Sequence, residues 1–488
     1  MDLEYGPVHG GAARLPAVTL AGGGACLLIV LAVAFRPVVQ GDGVGYYSYL
    51  HAVVVRHSLD LRPEYGAATA AGVNSNPPPL EAPTDTGRAA DFFPIGPALV
   101  AAPAYLGALA AGGTGQPPYS PPLVAAFTLS SLLAGLLALL LCWRLTGSPV
   151  AVAATALCTP FVFYLLYEPS YSHTFSALAV DAFVWAWWRG RDDRSAAGWL
   201  ALGALTGLMA MTRWQDAPLA AIALLTPPRP GARRRALLAL PGLVLALAPQ
   251  LAVDQAIFGT WWPQRPPGQA LDPLAGHQLQ VLFSSWHGLL VWHPMTAVAA
   301  AGSLLVRDRR LRAACLFALV AETLIDGAAP DWWGGAAFGA RRFLDLTPFW
   351  AIGLAALAAR LPAALAWAGT GLAAAWNALL IANVQYVTGG NADPGYAGLL
   401  SSQLAASRFL PHLVAQGAVV RDLVLWRRLG ARPATGDGLA WLAGEAVCVA
   451  VVAALLLRPA LLAPRRRAAP GAAMTPAPAL APGTTHRQ

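Results

Sequence analysis

The chain has 488 residues, 57% of them hydrophobic and only 11% charged, with a mean hydropathy of +0.53; soluble domains carry roughly a quarter charged residues, so a soluble globular protein is excluded. The net charge of +8 comes from 32 basic residues, all arginine, which fall in short clusters between apolar blocks. That is a topology signal and not a nucleic-acid-binding patch, so no nucleic-acid partner is expected.

The apolar blocks are close to the ~20-residue length of a helical bilayer span. A spanning backbone must satisfy its own hydrogen bonds, and the alternating strands of a barrel are absent. The expected fold is therefore all-α: a polytopic transmembrane bundle of about a dozen helices. The first sixteen residues lack a strongly basic start and a clear cleavage site, so the first block reads as a retained signal anchor. Expected spans are 17–37, 121–143, 148–167, 171–189, 196–212, 216–227, 236–257, 288–306, 311–328, 345–360, 362–383 and 440–461. Arg144, the cluster 189–194, the cluster 229–235, the cluster 307–312, Arg360 and the cluster 458–467 follow the even-numbered spans. Positive charge stays on the cytoplasmic side, so both termini are placed there. Residues 95–112 are apolar, but Pro97 and Pro103 each remove a backbone donor. The segment is read as a broken, re-entrant or juxtamembrane element. Residues 386–438 read as an outer amphipathic segment, 439–463 as the last span and 464–488 as a disordered cytoplasmic tail. Arginine-only basic usage with abundant Ala, Gly and Pro points to a GC-rich bacterial genome. The five cysteines all lie in apolar blocks, so no disulfide framework or cysteine metal cluster is implied.

This topology gathers acids, bases and aromatics in the non-cytoplasmic loops, an arrangement that suggests a site at that interface. Asp42 directly follows the first span. Tyr46, Tyr47, Leu50, Val53 and Val54 after it fit one face of a helix lying along the membrane surface. Asp42 is placed to cap that helix or to act as a base, and the two roles are compatible. The short turn at 168–170 puts Glu168 and His173 at a boundary, either as interface side chains or as ligands. Arg213 and Asp216, three apart, would face one way on a helix and pair with each other or with a ligand. His287 lies in a Trp- and His-rich loop end. Trp332 and Trp333 stand beside Gly334, Gly335 and Gly339, where a backbone can approach a ligand closely. Arg341 and Arg342 oppose the positive-inside trend; they either snorkel to headgroups or bind a phosphate as a fork. No phosphate loop, dinucleotide fingerprint or HExxH zinc motif is present.

In residues and order, GDGVGYYSYL (41–50), FFPIGPALVAAP (92–103), YEPSYSH (167–173), TRWQDAP (212–218), SSWHGLLVWHP (284–294) and DWWGGAAFGARRF (331–343) resemble the GT-C superfamily of membrane glycosyltransferases. The likeness is greatest to bacterial members related to protein O-mannosyltransferases and lipid A aminoarabinose transferases. It covers residues 15–385, and residues 1–385 are taken as the catalytic module, with juxtamembrane helices in the first outer loop. It implies a polyprenyl-phosphate sugar donor, membrane lipids as surroundings, and an active site on the outer face of a bacterial inner membrane. It maps the catalytic acid onto Asp42 and a second acid, used by some members for metal or acceptor, onto Glu168. A sugar leaving from phosphate needs charge stabilisation, which makes Arg213, Arg341 and Arg342 the candidate donor-phosphate ligands and Tyr46, His173, Asp216, His287, Trp332 and Trp333 the candidate substrate contacts. No cofactor is implied beyond a divalent metal on Asp42 and Glu168, which the resemblance leaves open. Asp42 is followed by Gly43 where the mannosyltransferases have a paired Asp-Glu, and no large soluble C-terminal domain follows. A transporter or lipid flippase, and a surface-polysaccharide polymerase or ligase, are the competing expectations.

Overall fold

The computed structural model describes residues 17–73, 83–227, 233–384, 392–403 and 437–457. The expected tail and most of the 386–438 segment lie outside these residues. Among the described residues the structure is helical throughout; the one β feature is an isolated antiparallel bridge between Pro83 and Ala89.

The chain opens with α1 (Ala17–Ala34), α2 (Gly43–Val54), α3 (Arg62–Ala70) and α4 (Gly96–Gly112). It continues through α5 (Pro121–Thr146), α6 (Pro149–Leu157), α7 (Phe161–Leu166), α8 (His173–Arg189) and α9 (Ala196–Thr212). A 3₁₀ helix (Trp214–Leu225) leads to α10 (Arg233–Ala236), α11 (Ala239–Phe258), α12 (Gln278–Phe283), α13 (Leu289–Trp292), α14 (Pro294–Leu304) and α15 (Arg309–Gly327). A second 3₁₀ turn (Arg341–Leu346), α16 (Thr347–Ala358), α17 (Ala363–Asn383) and a helix at Asp437–Leu457 complete it.

Among the described residues three helices, Pro121–Thr146, Arg233–Phe258 and Ala363–Asn383, are long and apolar enough to cross a membrane. Several of the expected spans are shorter or interrupted in the structure, for identifiable reasons. The expected span 148–167 divides into α6 and α7 at Cys158–Pro160, where proline cannot donate to the preceding turn. The expected span 216–227 is wound as a 3₁₀ helix with Pro218 inside it. Conversely, residues 96–112 form one continuous helix. Pro97 sits at its first turn, where no donor is needed, and Pro103 is accommodated within it. The expectation of a break there is corrected.

Close helix packing relies on small residues. A Cβ at Gly203 would strike the Ala239 carbonyl and one at Gly242 the Leu200 carbonyl, so α9 and α11 approach backbone to backbone. Gly302 and Gly353 do the same for α14 and α16. Two pairs of ends that the arginine pattern assigns to one side do meet: Arg144 donates to the Leu455 carbonyl at 3.0 Å and Arg360 to that of Leu305 at 2.8 Å. All five cysteines are free, and all but Cys26 are buried.

Candidate functional site

The site begins where the chain leaves α1. Gly41 takes φ +56, a left-handed conformation, and a Cβ there would collide with the Tyr171 hydroxyl. A Cβ on Gly43 would collide with the Ser170 side chain. The two glycines therefore press the Asp42 turn onto the 168–172 turn. Gln40 secures it, its backbone N–H donating to Ser170 Oγ at 3.2 Å. Asp42 stands at the N-cap position of α2, but its side chain caps nothing there. The carboxylate instead accepts from Arg341 Nη1 at 2.6 Å, both side chains being largely buried. The capping role expected of Asp42 is corrected: a buried guanidinium offers a charge-assisted bond stronger than a neutral backbone N–H can give. Nor is only one face of α2 covered: Gly43 through Ala52 are all buried and Tyr47 donates to the Pro118 carbonyl.

Arg341 is the hub. Its guanidinium lies 5.3 Å from the centroid of the Tyr171 ring, within cation–π range, and Tyr171 stacks on His173. Burial works against the Arg341 charge, yet Asp42, Tyr164 and Tyr171 outweigh it and hold its pKa above the ordinary arginine value. Glu168 sits beside this pair, with Oε2 buried and unpartnered. Burial pushes its pKa up to about 7, against the pull of Arg341 and with the repulsion of Asp42. Tyr46 completes the group through a hydrogen bond with Ser172; burial and the Asp42 charge push its phenol up to about 12, so it remains a neutral hydroxyl.

A second layer is centred on Arg213. Its Nη1 lies 2.7 Å from His173 Nδ1, and its Nη2 donates to Gln215. Gln215 Nε2 in turn donates to Asp326 at 3.1 Å. Arg213 has extended backbone (φ −151, ψ 123) and closes α9, so it does not share a helical face with Asp216. Asp216 accepts from Ser176 Oγ at 2.6 Å and meets the carboxyl of Asp345. The expected Arg213–Asp216 pair is thus replaced by separate partners for each, though the two remain in electrostatic range.

The two adjacent arginines also diverge. Arg342 Nη2 pairs with Asp331 at 2.7 Å and its Nε lies 3.9 Å from Asp326. Exposed Arg265 falls within electrostatic range of Arg342 and Asp331. Trp286 and Trp333 stack at 4.7 Å, with Trp332 edge-on to both. His287, at φ +60, holds Nδ1 2.7 Å from the Trp333 carbonyl. Burial lowers its pKa to about 4, so the ring is neutral, donates from Nδ1 and leaves a buried acceptor at Nε2. His287, Asp326, Trp332, Trp333, Arg341 and Arg342 line one cleft of about 10 Å³, space for roughly one water molecule.

Every site residue expected from sequence thus falls into one connected polar region. Tyr171, Gln215, Asp326, Asp345 and buried Glu322 are the members that sequence reading missed. Asp326, Asp345 and Glu322 did carry a signal, as carboxylates within apolar stretches. Among the described residues no three His, Cys, Asp or Glu side chains form a metal-holding group. Asp42 and Glu168 by themselves suit only the open kind of Mg²⁺ site, completed by substrate phosphate and water. Compared with protein-family models, curated proteins and solved structures, the chain matches none.

Proposed function

We propose that this chain is a polytopic membrane glycosyltransferase of the GT-C kind, with about a dozen spans, residing in a bacterial cytoplasmic membrane. It moves a sugar from a polyprenyl-phosphate donor to a hydroxyl acceptor on the non-cytoplasmic face. The observation that carries this reading is the Asp42–Arg341 pair. A carboxylate and a guanidinium from opposite ends of the module meet at 2.6 Å beside Glu168, His173 and Arg213.

Transfer from a phosphate ester needs two things from the protein. The leaving phosphate needs positive charge, and the attacking hydroxyl needs a base. In the closed arrangement these groups satisfy each other. On donor binding the phosphate takes the guanidinium of Arg341, with Arg342 and Arg213 nearby, and frees the Asp42 carboxylate for the acceptor. The acceptor oxygen then attacks the anomeric carbon, the bond from that carbon to phosphate oxygen breaks, the hydroxyl proton passes to Asp42, and the lipid phosphate departs. One displacement inverts the anomeric centre. Ionised Glu168 orients the acceptor hydroxyl, and neutral His287 offers Nε2 to a sugar hydroxyl beside Trp332 and Trp333. The cleft must open for this, and Gly334 and Gly335, both at positive φ, allow backbone conformations there that other residues rarely adopt.

The test is transfer from radiolabelled polyprenyl-phosphate sugars by purified protein in liposomes, beside Asp42→Asn. Transfer by the wild type and its loss in a folded variant are expected. Transfer undiminished in the variant overturns the base assignment. Asp216, Glu322, Asp326 and Asp345, all buried, favour a transporter as the second reading; donor flipping without transfer would establish it.

A further inference from the structure

A second cavity lies away from this site. A groove of about 650 Å³ runs between α6, α14, α16 and α17, past Ala154, Pro294, Val298, Leu357, Leu365 and Gly369. Its lining is apolar apart from the Thr370 hydroxyl, spent on the Ala366 carbonyl, and the Trp376 indole N–H, spent on the Trp292 carbonyl. Val298, Leu365 and nearby Leu372 are exposed along it. One end has a distinct chemistry. Arg360, exposed in the α16–α17 turn between Ala358 and Leu361 of the groove wall, donates to the Leu305 carbonyl at 2.8 Å and so ties this turn to the end of α14. Arg307, Arg309, Arg310 and Arg312 follow there, with Asp308 the one acid among them; Asp308 is engaged in capping α15 through the N–H groups of Arg310 and Leu311.

An apolar groove with Arg360 beside one end, joined through Leu305 to the start of the 307–312 arginine cluster, complements an amphipathic anion. Basic pockets between helices on the cytoplasmic side bind anionic headgroups. We propose that this groove holds one acyl chain of an anionic phospholipid of the arginine-side leaflet, its phosphate at Arg360 and the 307–312 cluster. This rests on the membrane reading above but not on the transfer chemistry, whose residues lie elsewhere.

The test is native mass spectrometry of the delipidated full chain, titrated separately with phosphatidylglycerol, phosphatidylcholine and a polyprenyl phosphate. Phosphatidylglycerol should be retained about tenfold or more over phosphatidylcholine. Arg360→Gln and Arg309→Gln should each weaken it about fivefold and leave phosphatidylcholine unchanged. Gly369→Leu should abolish retention, because a side chain there enters open space in the groove and meets nothing within 4 Å. Phosphatidylglycerol carrying a diazirine in its acyl chain should label α14 and α17 around Val298 and Leu365 in the unmutated protein. Equal retention of the two phospholipids, labelling confined to other helices, or displacement of phosphatidylglycerol by polyprenyl phosphate would each overturn the assignment.

Discussion

Asp42 and Arg341 lie 299 positions apart in the chain and 2.6 Å apart in space. Neither side chain is well exposed, at 15% each, and that decides how their substitution must be interpreted. Removing one member of a buried pair strands the other charge and costs about 3–5 kcal/mol. Asp42→Asn alone should therefore lower thermal stability as well as activity. The double variant Asp42→Asn/Arg341→Gln should recover most of the stability and none of the transfer. A double-mutant cycle in thermal unfolding, run beside the transfer assay, separates the two effects. Equal losses that simply add would show that the pair does not couple.

Arg341 should also matter beyond its pairing. Preorganised donors at a developing anion contribute about 10²–10³ in rate when removed singly. Arg341→Lys keeps the charge but loses the fork, and should reduce turnover far more than it reduces stability. Measuring turnover at saturating donor beside the unfolding midpoint distinguishes these.

Glu168 predicts a pH dependence. Its pKa lies near 7 because burial disfavours the charged form. Since the ionised form orients the acceptor, transfer should rise with pH through about 7 and level off above it. Glu168→Gln should remove that ascending limb along with most of the rate. Its raised folded-state pKa also means that this group's contribution to stability declines as pH rises from about 4.5 to about 7.

His287 has the opposite sign. Its pKa falls from 6.5 in the unfolded chain to about 4 in the folded one. Its contribution to stability is full above pH 6.5 and is lost as pH falls towards 4. Replacement by Asn, which tolerates the left-handed backbone at φ +60, should flatten unfolding midpoints across that window. An unchanged slope between pH 6.5 and 4 would show that another group controls it.

Gly41 tests the geometry of the turn. Gly41→Ala places a methyl against the Tyr171 hydroxyl and forces a strained φ, at a cost of about 1–3 kcal/mol for the backbone alone. Adding Tyr171→Phe removes the nearest colliding atom and should restore part of the loss in stability and activity. A double variant no better than Gly41→Ala would place the whole cost in the backbone.

The sequence by itself determined the helical class and which polar residues belong together. Sparse charge and long apolar blocks leave few other ways to satisfy a backbone away from water. The arginine periodicity led to the expectation that Asp42, Glu168, Arg213, His287, Trp332 and Arg341 share one side, and they do fall in one connected region. Local pattern could not supply partners, because a salt bridge across 299 positions has no periodicity to betray it. Asp42 was equally placed for a cap, and Arg213 for a pairing with Asp216; only packing chose Arg341 for the first and His173 with Gln215 for the second. Helix continuity was likewise tertiary. Pro103 lies within an unbroken α4 while Pro160 stands at the break between α6 and α7, since the cost of a missing donor depends on what the surrounding helices offer in its place.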